Sequence, residues 1–164
     1  MAMDYSENLF ELVKTYFEED EAHYDVDEEN GYFVANYNVG NKDNESSISS
    51  CRLHILVHNE GITMRFAVRG FKAKEKTKPY VALLLAYIND SMRYGNFEMD
   101  MDDGEVAFKC SNLLPPDMDY SYEYFDRIIC LGLSMLKKYA DALVPIMLGY
   151  SQDCEAAYKC CQDN

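Results

Sequence analysis

The stretch from Gly95 to Cys110 reads GNFEMDMDDGEVAFKC and predicts a two-strand hairpin. Apolar and polar residues alternate on both sides of Asp103-Gly104, a dipeptide that favours a two-residue turn. The residues predicted to face the core are Phe97, Met99 and Met101 on the first strand and Val106, Phe108 and Cys110 on the second. The segments on either side of this hairpin are predicted to be helices, so the region from Lys78 to Leu148 indicates an α+β arrangement.

A two-residue turn also predicts the register of the hairpin. In that register Met101 lies opposite Val106, and Met99 lies opposite Phe108. On the solvent face the same register sets Glu98 opposite Lys109, a cross-strand ion pair worth about 0.2–1 kcal/mol. We therefore expect Glu98 and Lys109 to be neighbours on one face of the sheet.

Helical segments flank the hairpin. Lys78 to Met92 has apolar residues at helical spacing, with Pro79 in the first turn, where its missing N–H is harmless. The last element runs from Tyr120 to Leu148, and Pro145 is expected to kink or loosen its final turns. Its predicted core stripe consists of Phe125, Ile128, Ile129, Leu136, Tyr139, Leu143 and Ile146.

Further apolar residues widen the stripe of this long helix. They are Cys130, Leu131, Leu133 and Met135. One interpretation is that part of the helix faces a second subunit, which would make the protein a homodimer. The other is that the helix is buried on two sides within a single chain. The sequence favours neither.

The amino-terminal half predicts a helix followed by strands. Ser6 to Glu19 has apolar residues at helical spacing, and Ser6 is available as the helix cap. Two strands are predicted next, from His23 to Asp27 and from Phe33 to Val39. The polar run from Gly40 to Ser50 predicts a flexible loop.

The alternation is clearest from Cys51 to Arg69 and predicts a second hairpin. Its apolar faces meet only if opposed positions sum to an odd number, which requires a loop of two or four residues around Asn59-Glu60-Gly61. The inward residues are Cys51, Leu53, Ile55, Val57, Ile62, Met64, Phe66 and Val68. The outward residues include Arg52, His54, His58, Arg65 and Arg69.

The predicted order of elements is α-β-β-β-β-α-β-β-α, and short motifs accompany it along the chain. They are Tyr87-Ile88-Asn89, the strand from Gly95 to Asp100, Asp103-Gly104, the strand and exit from Phe108 to Leu114, and Tyr122-Glu123-Tyr124-Phe125. In these motifs and their order, over about residues 5–150, the chain resembles the YbjN family, described as sensory transduction regulators with a type III secretion chaperone-like fold. The resemblance implies an α+β fold, an antiparallel sheet with helices packed on it. It also implies action through protein contacts, as a chaperone or regulator, and supplies no catalytic residues.

We expect residues 1–150 to form a single YbjN-like domain and residues 151–164 to form an acidic, cysteine-containing tail. The resemblance does not account for this tail, which contains Cys154, Cys160 and Cys161. Its thiols could bind a soft metal or form a mixed disulfide. Acidic neighbours raise the pKa of a thiol, however, which disfavours a reactive nucleophile. We therefore interpret the tail as a frayed helix end.

Composition limits the classes of partner. The chain has 164 residues, 48% of them hydrophobic, and a formal net charge of -14. This length and apolar fraction favour one packed domain. The negative charge repels phosphate backbones and anionic lipids, so we expect neither nucleic acid nor a membrane as partner. We expect a cytoplasmic protein, because the amino terminus lacks a secretory signal pattern and the chain lacks an apolar run of about 18 residues.

The candidate binding patch consists of Arg52, His54, Arg65 and Arg69. These residues share the outward face of the second hairpin, and together with His58 they would form a local positive patch in an acidic protein. Such a patch would suit an acidic peptide or a carboxylate ligand. The plainer interpretation, a solvated polar face, is the more common one. His54 and His58 lie four apart on a strand, about 13 Å from each other, which is too far to share a metal without a further ligand.

Other chemical motifs point to no enzyme class. Asp100, Asp102 and Asp103 look like the opening of a calcium loop, but the later ligands are missing and the hairpin interpretation is favoured. The sequence contains no Gly-rich phosphate loop and no GxSxG elbow. We therefore expect no enzymatic activity, no metal and no cofactor.

Two functions fit these observations best, and an unrecognised hydrolase or redox enzyme is a third, less favoured alternative. The first is a noncatalytic protein-interaction domain, a chaperone-like or regulatory adaptor that binds a protein segment or a second copy of itself. The second is a small-molecule sensor with a pocket between the sheet and the helices, lined by Tyr and Met side chains. A ligand-sized cavity would favour the sensor, and a flat apolar surface or a symmetric dimer would favour the adaptor.

Overall fold

The computed structural model describes residues 5–40 and 46–162. Within these residues four helices and six strands follow one another along the chain. The helices are α1 (Glu7–Glu19), α2 (Lys78–Asp90), α3 (Tyr122–Leu148) and α4 (Cys154–Cys160). The strands are β1 (Tyr24–Asp27), β2 (Tyr32–Asn38), β3 (Ser50–His58), β4 (Gly61–Val68), β5 (Asn96–Met99) and β6 (Val106–Leu113). The predicted α+β order is present, and α4 follows it as an additional element.

The strands pair in the order β1-β2-β3-β4-β6-β5, and every pairing is antiparallel. Strands β1 to β4 are consecutive neighbours, whereas β6 returns to pair with β4 after the chain has passed through α2 and β5. His58 pairs with Gly61, so the β3–β4 loop has the two residues Asn59 and Glu60. This even loop is one of the two that the alternation predicts. Residues 41–45 of the predicted flexible loop lie outside the described residues.

Helix α1 closes one end of the core. The Ser6 side chain accepts a hydrogen bond from the Leu9 N–H at 3.3 Å, as an N-cap residue does. The buried face of α1 packs on Phe33 of β2. The Phe33 ring centroid lies 4.7 Å from that of Phe10 and 5.8 Å from that of Phe17. These aromatic contacts hold α1 on the same face of the sheet as α3.

Helix α3 packs on β4 and β6. Gly132 allows the close approach, because a Cβ at this position would overlap the Phe66 ring. The Tyr139 ring meets the Phe97 ring edge-on, with centroids 5.7 Å apart. All seven residues of the predicted core stripe are buried. The additional apolar residues Leu131, Leu133 and Met135 are half-buried and Cys130 is exposed, so both interpretations of the wider stripe stay predictions.

The β5–β6 hairpin differs from its predicted register. Met99 pairs with Val106 and Phe97 with Phe108, a shift of two residues from the pairing that an Asp103-Gly104 turn would give. The loop is longer because the Asp100 carboxylate accepts hydrogen bonds from the N–H groups of Asp102 and Asp103 and holds both inside the turn.

Packing against the chain before α2 also determines this loop. Gly104 has a φ of 77°, and a Cβ there would overlap the carbonyl oxygen of Ala73. The Ala73 N–H in turn donates to the Gly104 carbonyl at 2.8 Å. Met101, predicted to face the core, lies in the loop and is 61% exposed.

A shift of two residues leaves each side chain that remains within a strand on its predicted face. Glu98 lies directly opposite Ala107 rather than Lys109, so the predicted pairing is wrong. The two charged residues still share a face, and the Lys109 Nζ lies 3.5 Å from the Glu98 Oε2. They are diagonal neighbours.

Residues beyond Gly149 form a docked helix, so the interpretation as a frayed end is wrong. Helix α4 contacts both α2 and α3. The Cys154 thiol is buried and donates to the Tyr80 carbonyl at 3.2 Å. The Tyr158 ring stacks on the Tyr87 ring at 5.9 Å. These contacts order the segment, because they bury apolar surface that a frayed end would leave in water.

No helix within residues 5–40 and 46–162 combines the length and the apolar character needed to cross a bilayer.

Candidate functional site

The sheet has one face covered by α1 and α3, and an opposite face that we call the open sheet face. Directly opposed residues cross the open sheet face in rows. One row is Val34, His54, Arg65, Lys109 and Asn96. The next is Tyr32, Leu56, Thr63 and Ser111. Side chains at alternate positions share a face, so the outward polar residues of five strands meet here.

Arg65 lies at the centre of the open sheet face. Its Nε donates to Glu98 Oε1 at 2.8 Å, and its Nη1 donates to Glu105 Oε1 at 2.5 Å. Burial alone would lower the pKa of the guanidinium, but the hydrogen bonds to the two glutamates raise it above its ordinary value. Arg65 therefore remains cationic and ties β4 to β5 and to the end of the hairpin loop.

His54 lies directly opposite Arg65 on the neighbouring strand. Its Nδ1 is hydrogen-bonded to the Tyr32 hydroxyl, and the two rings stack with centroids 5.8 Å apart. Burial, and then the nearby Arg65 cation, lower the pKa of the imidazole below its ordinary value of about 6.5. His54 is consequently neutral at pH 7 and adds a polar ring, not a positive charge, to the patch.

Three of the four predicted patch residues line one cleft. Arg52, His54 and Arg65 share a shallow cleft of about 350 Å³ on the open sheet face. Its other lining residues are Tyr32, Leu56, Thr63, Glu105 and Lys109. The cleft thus brings together three cations, and its floor includes the half-buried Leu56. Such a surface can hold a carboxylate between cations while an apolar group rests on the floor.

Arg69 and His58 lie apart from this cleft. The Arg69 Nη1 donates to Asn36 Oδ1 at 3.0 Å. The His58 Nε2 lies 2.9 Å from Thr63 Oγ1, which lies 3.0 Å from Ser111 Oγ. The predicted patch is therefore divided, with Arg69 beside the strand end and the other members in the cleft. Its role in binding stays a prediction.

The sequence interpretation did not include Tyr32, Glu105 or Lys109 in this site. Lys109 had a detectable signal, since the alternation along its strand already places it outward. Tyr32 immediately precedes the predicted strand, and its position opposite Leu56 follows only from the β2–β3 register. Glu105 belongs to the hairpin loop, and no strand pattern predicts that it reaches Arg65.

The carboxylates of the β5–β6 loop and two buried thiols lie outside this cleft. The Asp100 carboxylate holds the hairpin turn, and the Asp103 carboxylate pairs with Lys72. Burial raises the pKa of the Cys51 thiol to about 12 and that of the Cys110 thiol to about 11. Both thiols are therefore protonated at pH 7 and are weak nucleophiles. Among the described residues, no group of three His, Cys, Asp or Glu side chains is placed to hold a metal ion.

Comparison with known proteins supports the architecture. No protein-family model matches the chain, and no curated protein does so either. The crystal structure of YbjN from E. coli, a candidate transcription regulator, matches over 85% of this chain and 89% of its own, with a TM-score of 0.54 and 10% sequence identity. The chain therefore has a YbjN-like fold, as the resemblance in its sequence predicts. At this identity the likeness is one of fold alone.

Proposed function

We propose that this protein, which has a YbjN-like fold, is a noncatalytic regulatory adaptor. It binds an acidic protein segment through the open sheet face. The observation that carries the proposal is the cleft lined by Arg52, Arg65 and Lys109. Three cations and the two glutamates that pair with them, Glu98 and Glu105, leave one net positive charge here, which is a local reversal of sign in a chain of net charge -14. Such a reversal attracts a negatively charged partner and orients it.

Two of the three cations are available to bind a partner. Arg65 is held by two glutamates, so it is already neutralised. Arg52 is exposed and forms no ion pair among the described residues, and Lys109 has one ion pair, at 3.5 Å. We assign binding to Arg52 and Lys109, and we assign to Arg65 the role of holding the cleft in shape.

The packing of the core favours an adaptor over a small-molecule sensor. A sensor of the kind considered above would hold its ligand between the sheet and the helices. Away from the open groove between β6 and α3, that space is filled by large aromatic side chains that are almost completely buried: Phe17, Phe33, Phe66, Phe97 and Phe108. The polar surface of the molecule is therefore the better place for recognition.

The test is a titration of the isotope-labelled protein with a hexaglutamate peptide, followed by amide chemical shifts at low salt. We expect the largest shifts along β3 and β4 around Arg52 and His54, and we expect salt to weaken them because the attraction is screened. Arg52→Ser combined with Lys109→Ser should remove the shifts. Arg69→Ser, outside the cleft, is the matched control and should retain them.

Two results would contradict the proposal. Shifts distributed evenly over the surface would indicate nonspecific attraction. Shifts of equal size in the Arg52→Ser/Lys109→Ser protein would place the binding elsewhere.

Self-association through α3 is a separate proposal within the same function. Its support is the half-buried apolar side of α3, formed by Leu131, Leu133 and Met135. Light scattering over a concentration series measures the mass in solution. A stable dimer that Leu131→Glu converts to monomer would support α3 as the interface, and a monomer at every concentration would eliminate it.

A further inference from the structure

Strand β5 covers only the first part of β6. Their pairing ends at Asn96 and Lys109, whereas β6 continues to Leu113 with β4 as its neighbour on the other side. Residues 110–113 therefore form an unpaired strand edge in the described part of the chain. An unpaired edge presents backbone hydrogen-bonding groups that can template a further strand.

The direction of these backbone groups follows from one hydrogen bond. The Leu114 N–H donates to the Glu60 carbonyl at 2.9 Å, on the β4 side. Backbone groups of successive residues in a strand point to opposite sides. The N–H and C=O groups of Ser111 and Leu113 thus point away from β4, toward the open edge, and both residues are exposed.

A groove of about 690 Å³ lies along this edge, between β6 and α3. Its apolar wall includes Tyr124, Ile128 and Leu131 of α3. The Asn112 Nδ2 is buried on the groove wall, where the Asn112 side chain interacts with the Cys110 thiol. Because a thiol is a weak acceptor, this amide favours an occupant of the groove that has an acceptor oxygen.

The charges of the groove indicate the chemistry of that occupant. Arg93 and Arg127 line it, and no carboxylate does so among the described residues. Arg127 also interacts with Glu123, one turn earlier on α3. Arg93 is exposed and forms no ion pair within the described ranges. Two cations beside an apolar wall, in a protein of net charge -14, fit an acidic ligand with an apolar side chain.

We propose that the edge of β6 and this groove bind an extended acidic peptide, of which about four residues add to the sheet as a strand beside residues 110–113. Backbone hydrogen bonds to Ser111 and Leu113 supply the pairing. One apolar side chain of the peptide occupies the wall formed by α3, and a flanking carboxylate meets Arg93 or Arg127. This site is on the other side of β6 from β4 and does not depend on the cleft of the open sheet face.

The experiment uses the full chain and a fluorescein-labelled peptide of sequence Gly-Glu-Val-Thr-Val-Glu-Gly, titrated by fluorescence anisotropy up to about 1 mM. We expect saturable binding, with hydrogen-exchange protection of the Ser111 and Leu113 amides. A peptide with Pro in place of Thr loses the central N–H and should bind at least tenfold more weakly. A peptide with Lys in place of both Glu residues should lose binding in the same way.

Matched variants of the protein locate the contact. Ser111→Pro removes an N–H that points to the open edge, where proline is tolerated in a strand, and should weaken binding at least tenfold. Ser111→Ala loses the hydroxyl but keeps the N–H, and should bind as the native chain does. Arg93→Ser gives a second comparison that leaves the backbone unchanged, and its binding should weaken severalfold.

Three outcomes would overturn the proposal. The first is no anisotropy change over the whole range of peptide concentration. The second is binding that Arg52→Ser/Lys109→Ser removes while Ser111→Pro retains it, which would assign the peptide to the open sheet face. The third is a native dimer that Ser111→Pro converts to a monomer, which would identify a second copy of this chain as the occupant of the edge.

Discussion

At Gly132 the backbone of α3 lies close to the sheet. A hydrogen in place of a side chain lets the helix backbone lie against the Phe66 ring, which is completely buried. Glycine in the middle of a helix costs about 1 kcal/mol relative to alanine, so its presence requires compensation from packing. The compensation here is the contact between α3 and β4.

We expect Gly132→Ala to destabilise the protein by about 1–3 kcal/mol, because overpacking outweighs the gain in helix propensity. Urea unfolding monitored by circular dichroism measures the change. Ser134→Ala, at an exposed position of the same helix, is the control and should be neutral or slightly stabilising. Gly132→Ala combined with Phe66→Leu should cost less than the sum of the two single changes, and simple additivity would argue against the steric origin.

His54 gives a pH dependence that can be assigned to one residue. Its pKa in the folded protein lies below the ordinary value, because burial and Arg65 disfavour the imidazolium. The unfolded chain therefore binds the proton more readily, and folding stability decreases as the pH falls below about 6.5. Well above that pH both states are neutral at this residue, and it contributes no slope.

Proton chemical shifts of the His54 ring should give a pKa below 6.5 in the native protein. His54→Asn keeps a polar atom near the Tyr32 hydroxyl but does not titrate, so the loss of unfolding free energy from pH 7 to pH 5 should be smaller in this variant. His23→Asn, at an exposed position, is the matched comparison. Equal slopes in all three proteins would show that His54 is not responsible.

For individual residues, the sequence predicted which side chains point outward but not what they contact. Alternation alone placed Arg52, His54 and Arg65 on one face, because the period of a strand is two. Their partners came from other strands and from the hairpin loop. Glu105 could not be anticipated, since a loop residue has no periodicity and its reach to Arg65 depends on the fold of the whole hairpin.

Among the elements, α4 shows how a short helix depends on tertiary contacts. Seven residues are too few for a stable helix in isolation. Asp153 caps it by accepting a hydrogen bond from the Ala156 N–H at 3.0 Å, and the packing of Cys154 and Tyr158 against α2 fixes it. Its polar, cysteine-bearing sequence predicted a frayed end, because only three of its residues, Cys154, Ala157 and Tyr158, are buried or half-buried and so give little apolar pattern.

A chain ending at Gln152 should lose about 2–4 kcal/mol of stability, the range for removing two or three buried side chains. Thermal unfolding of the shortened and full chains measures this difference. Lys159→Ala breaks only the exposed pair with Glu155 and should cost no more than about 0.5 kcal/mol. Identical midpoints for the shortened and full chains would mean that α4 contributes nothing to stability.

The two hairpins show how far a sequence can predict strand register. For the β3–β4 pair, long alternating strands and a polar loop restricted the connection to two or four residues, and the structure has the two-residue loop. For the β5–β6 pair, the dipeptide Asp103-Gly104 predicted a two-residue turn, but the Asp100 side chain and the contact between Gly104 and Ala73 favoured a longer loop. A short strand such as β5, with four residues, has too little pattern to correct the error.

For the whole molecule, net charge determines which partners can approach. A charge of -14 repels polyanions over about 8 Å at physiological salt. The three cations of the open sheet face are too few to reverse this repulsion for a duplex that carries two charges per base pair.

We expect no binding of a labelled DNA duplex by the purified protein at about 150 mM salt. Fluorescence anisotropy against protein concentration is the measurement. A basic DNA-binding domain, measured in parallel, is the control. Saturable binding whose affinity falls steeply with added salt would contradict the expectation and reveal phosphate contacts.

The return of β6 to β4 also affects the order in which the chain can fold. Strands β1 to β4 pair with sequence neighbours, whereas β4 and β6 pair across roughly 40 residues and must first close that loop. During synthesis on the ribosome the β1–β4 meander therefore emerges complete, while β6 and α3 are still to be made. Until they arrive, the apolar face of β3 and β4 remains exposed, so the nascent chain needs protection from aggregation at that stage.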